Sequence, residues 1–223
     1  MDLKPYGDRG LLLAELSDAQ RTACLNRLAQ ALPAGCEEYV VGYDSILLLG
    51  PSIACDQQFK ASIRSFVAYP LVNAPEPDFP RSHFAHSRKH IFEVYYNGAD
   101  LEWVAQACNL SIEQVIELHT APVYTVRMMG FSPGFPYLEG LDPRLQLERR
   151  ASPRNRIAPG AVAIGGSHAG IYTVASPGGW HLLGHTDFPL FDLEAARHAH
   201  ANAQEVFALS PSDQVRFQPK EIR

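Results

Sequence analysis

Glycine and proline punctuate one stretch of the chain so densely that only short strands fit between them. From Pro122 to Phe191 the sequence carries ten of its sixteen glycines and eight of its seventeen prolines. Proline removes a ladder donor and fixes φ, while glycine favours turns, so no long helix or strand survives there. The apolar runs between these breakers are Val123–Met129, Ala161–Ile164, Ile171–Val174 and His181–Leu183. Many short strands with frequent turns predict an all-β barrel, and Asp213–Phe217 reads as one more strand. Just upstream, Ile91–Tyr96 reads as a strand and Asp100–Cys108 and Ser111–His119 as a helical hairpin. Ser111 with Gln114 three residues on is a capping box.

The N-terminal part has a different texture. Leu11–Leu16 predicts a strand, and Ser17 with Gln20 opens a helix carrying Leu25, Leu28, Ala29 and Leu32 at helical spacing. Glu38–Val41 and Ile46–Leu49 predict two further strands, and 56–68 a second helix with Phe59, Ile63, Phe66 and Val67 on one face. This βαββα order, closed by a strand near Leu71, predicts an α/β sandwich of ferredoxin-like kind. Three prolines and two acids within 73–80 then break every pattern. The expected organisation is therefore α+β, with an N-terminal α/β domain over 1–75 and a β-barrel domain over 81–223.

Composition narrows the function classes. The chain is 46% hydrophobic, enough for a packed core, and its net charge of −5 favours no polyanionic partner. No apolar run is long enough to span a bilayer, and MDLKPYGDRGLLLAEL lacks the pattern of a secretory signal. Cys24, Cys36, Cys55 and Cys108 form no C-x-x-C pair and read as reduced thiols, which places the protein in the cytoplasm and predicts no metal site.

Several motifs fail on physical grounds. Gly130-Phe131-Ser132-Pro133-Gly134 matches G-x-S-x-G, but an oxyanion hole needs the N–H of the residue after the serine, and Pro133 has none. The helical hairpin is no DNA reader, because no Lys or Arg occurs from His90 to Val126. Gly165-Gly166-Ser167-His168-Ala169-Gly170 lacks the Lys-Ser/Thr ending of a P-loop and reads as a hairpin turn. Arg144, Arg149, Arg150, Arg154 and Arg156 fall within thirteen residues, and the guanidinium fork suits carboxylate or phosphate. Arg149 and Arg150 read as solvated; Arg154, between Pro153 and the Ile157-Ala158-Pro159-Gly160 turn, is the better anion-binding candidate. From spacing alone His119 and His185 each read as satisfied core histidines.

Several of these segments come in a recognisable order. Glu117-Leu118-His119, GFSPGFPYLEGLDPRL (130–145), SPR (152–154), IAPGAVAIGG (157–166), GIYTVASPGGWHLLGHT (170–186) and Leu190-Phe191-Asp192 follow one another. GDRGLLLAEL (7–16) and GYDSILLL (42–49) add looser matches. Together they resemble the family of the B component of bacterial ATP-dependent 5-oxoprolinase, also known as allophanate hydrolase subunit 1, which includes sporulation-kinase inhibitors. The resemblance implies a cyclophilin-like barrel and two partners, a paralogous barrel protein (the C component) and a TIM-like protein that handles the lactam (the A component). It also implies ATP-dependent opening of 5-oxoproline to glutamate, with cleavage of allophanate or inhibition of a histidine kinase as the alternatives. It assigns proton transfer to His119 or His185, anion binding to Arg154, and a pocket wall to Phe135, Tyr137 and Trp180. On that reading Arg154→Ala lowers turnover while leaving the fold intact. Arg127 departs from the pattern, which has an apolar or aromatic residue there, and 73–90 matches none of it.

The proline-rich break generates a first prediction. Limited proteolysis should cut between Asn73 and Pro80 before other sites and release a C-terminal fragment that keeps β-rich circular dichroism. A fragment that unfolds would overturn the two-domain division.

Overall fold

The computed structural model describes residues 2–51, 56–68, 87–198 and 203–221, and the chain divides into two compact units, 1–86 and 87–223. The break at 73–80 and the strand expected near Leu71 lie outside the described residues.

The first unit contains β1 (Asp2–Tyr6), β2 (Gly10–Ala14), α1 (Asp18–Gln30), β3 (Glu38–Val41), β4 (Ile46–Leu49) and α2 (Gln57–Ala68). Its antiparallel sheet runs β1-β2-β4-β3, so the β2–α1–β3 crossover passes over β4. Alternation points Leu11, Leu13, Ile46 and Leu48 to one face, where Leu25 and Leu28 of α1 and Phe59 and Ile63 of α2 cover them. The Ser17 hydroxyl accepts the Gln20 N–H while the Gln20 side chain accepts the Ser17 N–H, which starts α1 as expected. That helix ends at Gln30, so Leu32 lies beyond it and is exposed. The ferredoxin-like expectation is not confirmed. Its closing strand lies outside the described residues, and β1 holds the edge beside β2. With Lys4-Pro5 at its centre, β1 carries no strand signal, and proline is tolerated there because the strand is an edge.

The second unit contains β5 (Lys89–Val94), α3 (Leu101–Ala107), α4 (Ile112–Thr120), β6 (Tyr124–Met129), β7 (Pro136–Glu139), β8 (Arg154–Ile157) and β9 (Ala161–Gly165). It continues with β10 (His168–Ile171), β11 (Ser176–Gly178), β12 (His181–His185), α5 (Leu193–Ala196), α6 (Ala203–Val206) and β13 (Gln214–Pro219). Seven strands run β12-β9-β10-β7-β6-β13-β5, and β8 with β11 forms a separate ribbon. Val162, Ile164, Ala169, Ile171, Leu138 and Val126 face the main core, joined there by Leu101, Val104 and Val115 of the helical hairpin. Gly166 and Ser167 form the β9–β10 turn, so the strand begins at His168 and Tyr172 already leaves it, earlier than the apolar run 171–174 predicts. β7, β8 and β11 carry proline or charge, which hides them from a hydropathy reading.

The sheet closes into a nearly complete barrel where Tyr95 and His185 exchange backbone hydrogen bonds of 2.9 and 3.0 Å. Glycine is required at this seam. A Cβ on Gly184 would lie 2.2 Å from the Tyr95 carbonyl oxygen. Gly184→Ala should therefore destabilise the second unit by roughly 1–3 kcal/mol, the scale of overpacking against unyielding backbone. Urea unfolding measures it, and a change within about 0.5 kcal/mol, ordinary for a neutral site, would show that the seam tolerates a side chain.

Candidate functional site

The outer face of the barrel sheet carries the aromatic residues singled out by the sequence. β7 and the loop before it supply Phe135 and Tyr137, and Trp180 precedes β12. Phe135 lies 5.4 Å from Trp180 and 5.3 Å from Tyr137, and Tyr137 lies 5.7 Å from Trp180, all edge to face. The rings sit close to the sheet because their neighbours are glycines. A Cβ on Gly165 would lie 2.7 Å from the Trp180 indole, and one on Gly170 would lie 2.9 Å from the Phe135 ring. Phe135 and Trp180 are buried, so they pack as a floor, whereas Tyr137 is half-buried at the rim. Tyr172 completes the floor, its hydroxyl accepting the Trp180 backbone N–H; burial raises its pKa, and that bond with the Arg149 and Arg154 charges only partly offsets the rise. Phe131, with φ +65 and 58% exposure, stands over Phe135 and Tyr172 in a backbone conformation that costs energy for an aromatic residue.

Arginines rim this face in a way that spacing did not reveal. The Arg149 guanidinium carbon lies 5.9 Å from the Trp180 ring centroid. Arg150 and Arg154 both donate to Asp100 Oδ1, at 3.0 and 2.7 Å, while Asp100 Oδ2 accepts the Leu182 N–H at 2.8 Å. Burial would raise the Asp100 pKa, but hydrogen bonds from Arg154 and Leu182 and the two guanidinium charges hold it below the usual carboxylate value. Asp100 stands at the start of α3, yet its side chain makes no cap there. Next to this knot, His181 Nε2 donates to the Glu148 carbonyl at 2.8 Å, and Trp103 stacks on the imidazole at 4.5 Å. The expectation of a solvated Arg150 is corrected by its pairing with the buried Asp100, and sequence reading passed over Asp100, Trp103 and His181. The one available signal was a group of arginines with too few local acids. Arg127, the departure from the pattern, lies 3.6 Å from Glu139.

The two histidines lie on opposite sides of the Tyr95-Tyr96 dipeptide. His119 has no solvent exposure, shares a hydrogen bond of 2.7 Å with the Tyr96 hydroxyl through Nδ1, and stacks on Phe217 at 4.5 Å. Burial pushes its pKa down to about 3, so it is a neutral core residue. His185 sits outside, its ring stacked 4.9 Å from Tyr95 and its Nδ1 3.0 Å from Asn97 Oδ1. His185 and Trp180 flank β12 at opposite ends, roughly 17 Å apart along an extended strand. The structure thus brings Phe135, Tyr137 and Trp180 together, ties Arg154 to Asp100, and separates both histidines from them.

Among the described residues, no three His, Cys, Asp or Glu side chains converge as a metal site, and no helix is long and apolar enough to cross a membrane. Cys24, Cys36 and Cys108 are free thiols, and Cys55 lies outside the described residues.

The Asp100 knot changes what an Arg154 variant should do. Arg154→Ala removes a charge-assisted bond to a buried carboxylate, a loss of about 1.5–3 kcal/mol. Its thermal midpoint should fall by several degrees, with Arg154→Lys in between. An unchanged midpoint would show that the guanidinium is free to meet a ligand.

The chain spans about half the length of the curated relatives it matches. It is 48% identical over 130 residues to the B component of 5-oxoprolinase from Escherichia coli O157:H7, covering 57% of this chain and 56% of that one. It is 48% identical over 100 residues to the protein of the same name in Haemophilus influenzae, covering 45% and 47%. Among solved structures, TTHA0988 superimposes with a TM-score of 0.74 at 32% identity, over 96% of this chain and 40% of that one. The Kluyveromyces lactis urea carboxylase shares the fold, with a TM-score of 0.71 at 21% identity over 98% of this chain and 22% of that one. The family pattern for the carboxyltransferase domain, subdomain C and D, matches residues 1–201, and the chain belongs to that family.

Proposed function

We propose that this chain is the B component of a cytoplasmic, ATP-dependent 5-oxoprolinase that opens 5-oxo-L-proline to L-glutamate. The observation that carries the reading is the 48% identity to 5-oxoprolinase B components in separate organisms. On the same reading the first unit is ferredoxin-like, the barrel is cyclophilin-like, and the partners are the TIM-like lactam protein and the paralogous barrel protein.

A five-membered lactam is a poor electrophile, so its opening needs activation of the amide and a positioned proton acceptor. The described residues do not form a fitting nucleotide site. Gly166-Ser167 is a tight hairpin turn, and Arg150 and Arg154 are held by Asp100. The chain's own contributions are an exposed, oriented imidazole at His185 and an aromatic patch in which Tyr137 lies over the buried Trp180 and Arg149 stands beside the indole. His119 is buried away from both, which leaves His185 as the proton-transfer residue.

A second reading, a binding protein that inhibits a sensor histidine kinase, is favoured by the strained and exposed Phe131. One experiment separates the two. The purified chain is mixed with the lactam and paralogous barrel proteins, 5-oxoproline and ATP, and glutamate and phosphate are followed together. Turnover should require all three proteins, and His185→Ala should lower kcat by roughly 10²-fold or more, the contribution of a general acid or base. Absence of turnover from the full mixture, with loss of kinase autophosphorylation on adding this chain, would replace the enzyme reading.

A further inference from the structure

His185 is a surface side chain with specific contacts on more than one side. Its side chain is 44% exposed, yet contacts restrain it on several sides. Its backbone exchanges both hydrogen bonds with Tyr95 at the barrel seam, and the Tyr95 ring covers one face of the imidazole at 4.9 Å and 21°. Lys220 Nζ lies 5.0 Å over the Tyr95 ring and 3.1 Å from Glu93, which holds that ring in turn. Asn97 Oδ1 meets His185 Nδ1 at 3.0 Å. Fixing an exposed side chain forfeits rotamer entropy that packing does not return, so this arrangement calls for a reason other than stability.

The anchoring of Asn97 is equally specific. Its own N–H donates to the Tyr95 carbonyl at 3.0 Å, and the N–H of Gly98 donates to the Leu183 carbonyl at 3.0 Å. Only glycine fits at 98, because a Cβ there would lie 2.3 Å from the Leu182 carbonyl oxygen. The 97–98 turn is thus pinned on β12, with the Asn97 amide aimed at the imidazole.

We propose that Asn97 is a positioning residue that holds His185 as the tautomer protonated on Nδ1 and presents the Nε2 lone pair to solvent. An amide oxygen accepts and cannot donate, so the ring nitrogen facing it must carry the proton. Nε2 is then the free basic atom. Asp187 Oδ1 stands 3.9 Å from it, too far for a direct bond. The arrangement has the logic of an oriented base: one neighbour sets the tautomer and leaves the other ring nitrogen open to a reacting group. Its use in turnover rests on the reading of the chain as a 5-oxoprolinase component; the tautomer itself does not.

The test has two independent readouts. Long-range nitrogen–proton correlation spectra of the full chain, with the imidazole neutral, report which ring nitrogen carries the proton. Wild type should show His185 protonated on Nδ1. Asn97→Ala should move the population towards Nε2–H, and Asn97→Asp, which keeps an acceptor, should retain the wild-type pattern. A wild-type ring protonated on Nε2, or a pattern unmoved by Asn97→Ala, overturns the proposal. In the assembled three-protein enzyme, Asn97→Ala should lower kcat about tenfold with KM for the lactam unchanged, a fraction of what a general base supplies, and Asn97→Asp should restore it. A switched tautomer with unchanged kcat would support the positioning role of Asn97 while removing His185 from the chemistry.

Discussion

One buried carboxylate organises one side of the second unit. Asp100 is paired twice with Leu182, through its own N–H to the Leu182 carbonyl at 3.1 Å and through its side chain to the Leu182 N–H. On its other oxygen it gathers Arg150 and Arg154. Three stretches far apart in sequence therefore meet on a single side chain: the start of α3, the arginine-bearing loop and β12. A buried charge without partners is very costly, so the segments supplying the partners are held as strongly as the charge demands. Once β12 is fixed at Leu182, Trp180 is set at one of its ends and His185 at the other.

The same strand shows how glycine shapes both ends. Gly165 and Gly170 leave room for the Trp180 and Phe135 rings to lie on the sheet, and Gly184 lets Tyr95 reach His185 and close the barrel. These glycines are needed for close approach, not for unusual φ, since none of the three has a positive φ. The Asp213 carboxylate does comparable work beside β5, accepting from Arg88, His90 and the Ser210 N–H. Two buried acids thus pin the barrel, one on β12 and one just before β13.

Legibility followed chemistry that is local. Ser17 and Ser111 both make the capping boxes their spacing announces, and the β9–β10 hairpin turns at the glycines that suggested it. Strands whose hydropathy alternates or runs apolar, such as β4 and β9, were visible for the same reason. β1, β8 and β11 were not, because their residues are polar or proline-containing and their stability comes from the strand alongside. The family itself was legible in the order of its glycine, proline and aromatic segments, since those residues mark turns and close packing that tolerate few replacements.

Sequence alone determined the two-part texture of the chain, the capping boxes of two of its helices, the lack of a backbone N–H donor after Ser132 and the family to which it belongs. Each depends on residues within a few positions of one another, or on a pattern carried whole along the chain. Tertiary structure decided which histidine is sealed in the core and which faces water, and that Arg154 answers Asp100 fifty-four positions away. It also decided that Asn97 meets His185 across the barrel seam. Partnership between distant side chains depends on where strands close and what a buried charge requires, and neither quantity is written in local spacing.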